Sequence, residues 1–306
     1  MNIAVTQDRL PKLVLIFITL IWGASFITVQ YGLQFSTPIL FVALRFAAAT
    51  IAVALLSYKT LKGFNAYEVF AGAMIGLAIA FGYTTQTIGL KTISSSESAF
   101  LTALYVPLVP FFMWLMFKKT PKIMTWLGAG LATAGLFCLT GNGIGPIQFS
   151  FGQVITLIGA FAIALEIILI GYFSERVNLQ RVTVLQLFFA SVACFICAPL
   201  MGETQLPSFD THLLWILIGL GMASAGIQLA MNWAQQFVDP SQAAIIYAGE
   251  PVWAALIGRL AGERLPMIAL FGGGLVVLGV IVSQLTPKKL KKKQNKEQSH
   301  VIHETQ

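Results

Sequence analysis

Charge is what this chain has least of. Only 10% of its 306 residues are Asp, Glu, Lys or Arg, against 57% hydrophobic, and mean hydropathy is +0.80. Soluble domains carry about 25% charged residues. A water-facing surface of this size cannot be built from so few, which excludes a soluble enzyme, a nucleic-acid-binding module and a disordered regulator. Cysteine is scarce too. Cys138, Cys194 and Cys197 all lie in apolar runs, so no disulfide framework is implied. The C-x-x-C spacing of Cys194 and Cys197 has no second Cys or His set beside it, so zinc or redox chemistry is not expected. The three histidines, His212, His300 and His303, sit at a helix end and in the tail. No G-x-x-x-x-G-K-S/T occurs, so the chain brings no ATP motor of its own, and nothing in it calls for a cofactor or a metal.

What is present is a series of long apolar runs. A membrane-crossing helix needs about 20 of them in a row. Ten runs qualify, at 13–32, 38–57, 67–90, 95–117, 122–141, 152–172, 181–201, 211–236, 240–261 and 265–285. The first has no small-residue cleavage pattern after it and reads as a retained helix. The connectors are short and too small for a soluble domain. The expected class is therefore an all-α polytopic membrane protein.

Basic residues set the orientation. With the N-terminus inside, the inner segments hold Arg9, Lys12, Lys59, Lys62, Lys118, Lys119, Lys122, Arg176, Arg181 and six lysines between Lys288 and Lys296. The outer connectors hold Lys91 and Arg264. Both termini are thus expected in the cytoplasm, and the polybasic tail, 286–306, beside anionic lipid. The tail has no aromatics interleaved with its lysines, so nucleic acid is not an expected partner. Oligomeric state is not legible.

A shift of 144 residues brings the halves into register. Gly82, Ala99, Pro107, Gly128, Gly130, Leu131 and Gly135 fall on Gly226, Ala243, Pro251, Gly272, Gly274, Leu275 and Gly279. The reading is a cytoplasmic N-terminus at 1–12, a first five-helix repeat at 13–141, a linker at 142–151, and a second repeat at 152–285. A unit of five spans is odd, so the second copy must lie inverted, and Lys119 on the inner side answers to Glu263 on the outer side. Inverted repeats are a device of secondary transporters, in which two similar halves rock about a site at mid-membrane.

Several stretches resemble the EamA-type members of the drug/metabolite transporter superfamily. They are Trp22-Gly23-Ala24-Ser25-Phe26 in the first span, Arg45 in the second, the Ala-rich run from Ala99 to Pro107, and Glu250-Pro251-Val252-Trp253 followed by Gly262-Glu263. The resemblance covers 13–285. It implies a ten-helix carrier of small metabolites, often an inner-membrane exporter of amino acids or related compounds, but not which metabolite.

Candidate site residues follow from the cost of burying polarity in lipid, about 2.5–3.5 kcal/mol for a charge at mid-membrane. Glu250 lies about ten residues into the ninth span. Pro251 after it removes a backbone donor, so a kink with a freed carbonyl is expected there. Such a carboxyl could take a proton, bind a substrate amine or bond to neighbouring backbone. Glu166 has no opposite charge within four residues; it could titrate, bind an amine, or pair with a cation on another helix. Arg45 could grip a substrate carboxylate or form a structural pair with a protein carboxylate. Arg259 and Glu263, four apart, read as an interfacial pair.

Tyr83 with Gln86, and Gln228 with Asn232, each share a helix face and suggest the walls of one cavity, or interhelical bonds without substrate. Trp22, Tyr105 and Tyr247 would be its aromatic walls or interior packing, and Pro107 a second kink. The expected substrate position is between spans 1, 3, 4 and 6, 8, 9. Glycines at Gly72, Gly76 and Gly272 to Gly274 would allow close helix approach. The functional expectation is export of a small metabolite by alternating access, with proton coupling. An uncoupled facilitator is the alternative, and a membrane enzyme acting on lipid a remote third.

Overall fold

In the computed structural model, residues 2–118, 120–139, 150–262, 267–283 and 285 are described. Linker residues 142–149, Lys119, Glu263 (the expected partner of Arg259), Arg264 and the lysine tail lie outside the described residues. The described residues form α1 (Asn2–Gly32), α2 (Pro38–Leu56), α3 (Ala66–Gly89), α4 (Ser95–Thr102), α5 (Tyr105–Phe117), α6 (Ile123–Leu139), α7 (Phe151–Phe173), α8 (Leu179–Leu200), α9 (Thr211–Ala234), α10 (Pro240–Tyr247), α11 (Glu250–Leu260) and α12 (Met267–Ser283). Because α4 with α5 and α10 with α11 are each one interrupted span, the helices make ten crossings, as the apolar runs require. Eight crossings are long and apolar enough to span a bilayer by length and composition, and α6 and α12 are shorter.

Helix starts follow capping chemistry. Asn65 accepts from the Glu68 N–H while Glu68 accepts from the Asn65 N–H, so α3 begins on a capping box. Ser150 and Gln153 do the same for α7. Asn178, Asp210 and Asp239 cap α8, α9 and α10 through their side chains. The first helix starts well before the apolar run at 13, since hydropathy marks only the stretch that meets lipid, and both end at Gly32.

The two prolines act differently from the expected kink. The fourth span stops at Ala103-Leu104 and the ninth at Ala248-Gly249, and a new helix then begins. Pro107 and Pro251 each sit in the first turn of the new helix. A first-turn residue has no intrahelical N–H bond to lose. Each span is thus broken into two helices rather than bent around one missing bond.

Glycine seams join the elements. A Cβ on Gly128 would lie 2.7 Å from the Gly279 carbonyl oxygen, and one on Gly279 would lie 2.6 Å from that of Gly128, so α6 and α12 touch backbone to backbone. On Gly76, a Cβ would lie 2.5 Å from the Gln186 carbonyl oxygen in α8, and Gly72 also faces α8 at Leu185. The expectation for Gly272 to Gly274 needs correction. A Cβ on Gly135 would lie 2.5 Å from the Gly272 carbonyl oxygen, so that glycine is in the seam, but Gly274 faces open space and Gly273 makes ordinary contact with Val252.

Large apolar side chains such as Trp215, 70% exposed, and Leu260, 88% exposed, point outward. That is costly in water and natural in lipid.

Candidate functional site

The bundle has two ends. The proximal end carries the start of α1, and the distal end carries the turn between α3 and α4. Between them, buried polar side chains from both halves of the chain converge.

Arg45 enters from α2, 2% exposed. Its Nε donates to Ser224 Oγ of α9 at 2.8 Å, and its guanidinium carbon lies 5.3 Å from the Tyr83 ring centre and 5.7 Å from that of Phe46. No ion pair with a carboxylate forms at Arg45 among the described residues. The expected structural carboxylate partner is therefore replaced by a hydroxyl and two ring faces, which favour a cation without neutralising it. Tyr83, on α3, accepts from the Trp22 indole N–H at 2.9 Å. Trp22 in turn meets Tyr247 edge-on at 5.5 Å. Two of the expected aromatic walls, Trp22 and Tyr247, thus join Tyr83 in one contact chain running from α3 through α1 to α10.

The fourth aromatic, Tyr105, donates its hydroxyl to Glu250 Oε2 at 3.3 Å. Both residues are buried, and each opens the second piece of an interrupted span. The interruptions therefore place a phenol and a carboxyl opposite each other, one from each half.

Glu166 of α7 is fully buried. Its Oε1 accepts from Gln228 Nε2 at 2.8 Å, and its Oε2 has no partner. The expected alternative, a cation on another helix, is not found among the described residues. The carboxyl lies within electrostatic reach of Tyr83, Tyr247 and Glu250. Gln228 Oε1 accepts from Gln186 Nε2 of α8 at 2.6 Å, and Asn232 Nδ2 donates to Gln186 Oε1 at 3.2 Å. Gln86 turns the other way and donates to Thr102 Oγ1 of α4 at 3.0 Å. Both amide-bearing faces accordingly make interhelical bonds, in different directions. The Gln228–Asn232 face meets Glu166, whereas Gln86 ties α3 to the short helix α4.

Sequence reasoning missed Gln186, Ser224 and Gln235. Gln186 and Ser224 interrupt apolar runs, the same signal that marked Gln228. Gln235 stands at the end of α9 and donates to the Tyr247 hydroxyl at 3.2 Å.

Access differs between the ends. At the proximal end, two adjoining cavities of about 280 and 310 Å³ share Met113 and Asp239 in their walls, and the first reaches Gln235. At the distal end, halves meet directly. Gln153 Nε2 donates to Glu97 Oε1 across the halves, and within the first half Gln30 Nε2 donates to the Ile93 carbonyl at 3.1 Å. Deeper in, beside Trp22 of the cluster, a Cβ on Gly23 would lie 2.7 Å from Trp253 Cβ, so α1 and α11 pack closely there. The proximal cavities thus come to the polar cluster through Gln235, which bonds to Tyr247, and a further cavity of about 430 Å³ lies between α1 and α9, lined by Ser25, Thr28 and Trp215 among others.

Known proteins agree with this architecture. A model of the EamA-like transporter family matches residues 10–141 and again 150–285. The chain belongs to the EamA-like transporter family. An uncharacterized transporter of Archaeoglobus fulgidus is 31% identical over 275 residues, covering 89% of this chain and 84% of that protein. The uncharacterized inner membrane transporter YedA of Escherichia coli K12 is 26% identical over 279 residues, covering 87% and 88%. A solved protein crystal structure superposes with a TM-score of 0.73 at 19% identity over 92% of this chain and 97% of that one, which shows the fold. For this EamA-like chain, the two family matches coincide with the two five-span halves, and the converging cluster draws on both.

Proposed function

We propose that the chain carries a small polar or amphipathic metabolite, such as an amino acid or related compound, outward across the cell's inner membrane by alternating access, coupled to protons. The observation that carries the reading is the pair Glu166 and Glu250. Two carboxyls buried at membrane depth, neither paired with a cation among the described residues, cost too much to serve as filling. One has a free oxygen, and the other has a single phenolic donor. Each can take a proton or a substrate amine. The surrounding Trp22, Tyr83, Tyr105 and Tyr247 supply an apolar, aromatic wall, and Arg45 supplies a positive pole for a carboxylate. The cavities at one end and the closed contacts at the other are what one state of an alternating carrier requires.

The excess of inner lysines and arginines supports cytoplasmic termini, with the tail lysines on anionic lipid. Cysteine accessibility at Lys12 and at Lys91 from each side of intact cells tests that orientation: opposite sidedness is expected.

The function itself is tested in sealed liposomes by counterflow of radiolabelled amino acids and amines, with and without a proton gradient. Flux that responds to the gradient, and is lost in a Glu166→Gln, Glu250→Gln double variant, is the expected result. Undiminished flux in that variant refutes the carboxyl roles, and flux indifferent to pH gradient and membrane potential replaces the coupled carrier with a facilitator.

A further inference from the structure

The amides around Glu166 have a direction. Asn232 Nδ2 donates both to the Gln228 backbone carbonyl at 2.9 Å and to Gln186 Oε1 at 3.2 Å. A backbone carbonyl can only accept, so it fixes which end of the Asn232 amide is nitrogen. Every later orientation then follows. Gln186 uses its oxygen to accept from Asn232, so its nitrogen faces Gln228 and donates to Oε1 at 2.6 Å. Gln228 has spent its oxygen, so its nitrogen faces Glu166 and donates to Oε1 at 2.8 Å. The chain ends on an acceptor and cannot be reversed without leaving a buried N–H against the Gln228 carbonyl. All four side chains are at most 2% exposed, so water does not compete for these bonds.

The consequence falls on the carboxyl. Oε1 of Glu166 is occupied by a group that can only give a proton-bearing nitrogen. An incoming proton or N–H donor therefore meets its least occupied acceptor at Oε2, the oxygen left without a partner.

We propose that Asn232, Gln186 and Gln228 form a one-way hydrogen-bond chain that orients the Glu166 carboxyl, reserving Oε2 for the donor brought by the transported solute. Gln186 and Asn232 are positioning residues, acting through Gln228 and touching no solute. This rests on the solute-binding role given to Glu166 above.

The test is infrared difference spectroscopy on the full chain in nanodiscs. Subtracting Glu166→Gln and Glu250→Gln variants assigns the carboxyl bands of the two residues. Gln186→Met and Asn232→Leu remove the chain at its middle and at its start with little change in volume, so one variant stands if the other fails to fold. In both, the Glu166 band shifts and the Glu250 band stays in place. General loosening of the bundle would move both bands. An unmoved Glu166 band in folded Gln186→Met and Asn232→Leu protein overturns the chain.

n-Butylammonium, with n-butanol as the uncharged control, then probes the open oxygen. A Glu166 band shift on adding n-butylammonium but not n-butanol, lost in the chain variants, is the expected result. If the chain variants move the band and n-butylammonium does not, the orienting chain stands and the amine-binding reading of Glu166 fails.

Discussion

The slab made of α2, α3 and α8 is tied together along its whole length, whereas the two interrupted spans are not. At the distal end, the α2 start has no side-chain cap of its own, and Glu203 beyond α8 accepts from the Ile39 and Leu40 N–H groups at 3.0 Å each. In the middle, Ser191 donates to the Ala43 carbonyl at 2.9 Å, and Gly72 and Gly76 admit α8 against α3. At the proximal end, Arg181 donates to the carbonyls of Thr60, Lys62 and Gly63 and pairs with buried Glu68 at 3.4 Å. These ties join one half of the chain to the other. By contrast, α4, α5, α10 and α11 are short pieces separated by breaks, sealed at the distal end and bordering cavities at the proximal end. The polar cluster lies where the two kinds of region meet: Arg45, Tyr83 and Gln186 come from the slab, and Tyr105, Tyr247 and Glu250 from the interrupted spans. Under the proposed function, the slab would be a fixed body and the interrupted spans moving pieces, with the solute site at the joint between them.

The largest effect should come from tying down a moving piece. Replacing Glu97 and Gln153 by cysteine, in a chain lacking its own three cysteines, and bridging them with a short reducible cross-linker fixes α4 to α7 at the distal end. Counterflow falls to the level of empty liposomes and returns on reduction. The matching bridge within the slab, Thr60→Cys with Gln180→Cys, joins residues whose side chains already bond at 2.6 Å, and flux is retained. Equal loss from both bridges would erase the distinction between body and moving pieces.

Next is the slab's proximal tie. Arg181→Ala leaves the Glu68 carboxyl, 2% exposed, without its cation. Breaking a fully buried pair costs about 3–5 kcal/mol. Arg181 is 24% exposed, so solvent screens some of this, and about 2 kcal/mol is expected. Thermal unfolding in detergent reads the loss, with the glycine seam as an independent check. Gly76→Ala pushes a methyl into the Gln186 carbonyl and costs about 1–3 kcal/mol by forced separation of α3 and α8. It also shifts the backbone that carries Gln186.

Most of this body was legible in the residues, and the site less so. Spans are legible because lipid demands about 20 apolar residues per crossing, whatever their neighbours do. The repeat is legible because glycine and proline at Gly128, Pro107 and their counterparts are where backbones touch or breaks occur. Glu166, Glu250 and Arg45 stood out because charge in an apolar run is expensive. What the residues could not give is partnership. Arg45 looks alike beside a carboxylate or beside Ser224, and Gln86 shares a face with Tyr83 yet bonds to α4, since a helix face is wide enough to meet two neighbours. Gln186 went unnoticed although its signal equals that of Gln228; its weight comes from a bond to another helix, which no local pattern encodes.

The smallest predicted effect sharpens the same contrast at the α6–α12 seam. Gly279 and Gly274 lie on one helix, and both have counterparts in the repeat, Gly135 and Gly130. A Cβ on Gly279 would lie 2.6 Å from the Gly128 carbonyl oxygen and 2.8 Å from the Ala132 nitrogen, whereas one on Gly274 or Gly130 meets nothing within 4 Å. Gly279→Ala must therefore push the α6 and α12 backbones apart, and neither can move aside as a flexible side chain would. Gly274→Ala and Gly130→Ala add a methyl facing away from neighbours and gain helix propensity, so their unfolding temperatures should match or slightly exceed wild type, within about 0.5–1 kcal/mol. A marked loss at Gly274 or Gly130 would show that this outer glycine face is covered in the membrane, by a second copy of the chain or by tightly held lipid, and chemical cross-linking at Gly274→Cys separates those two.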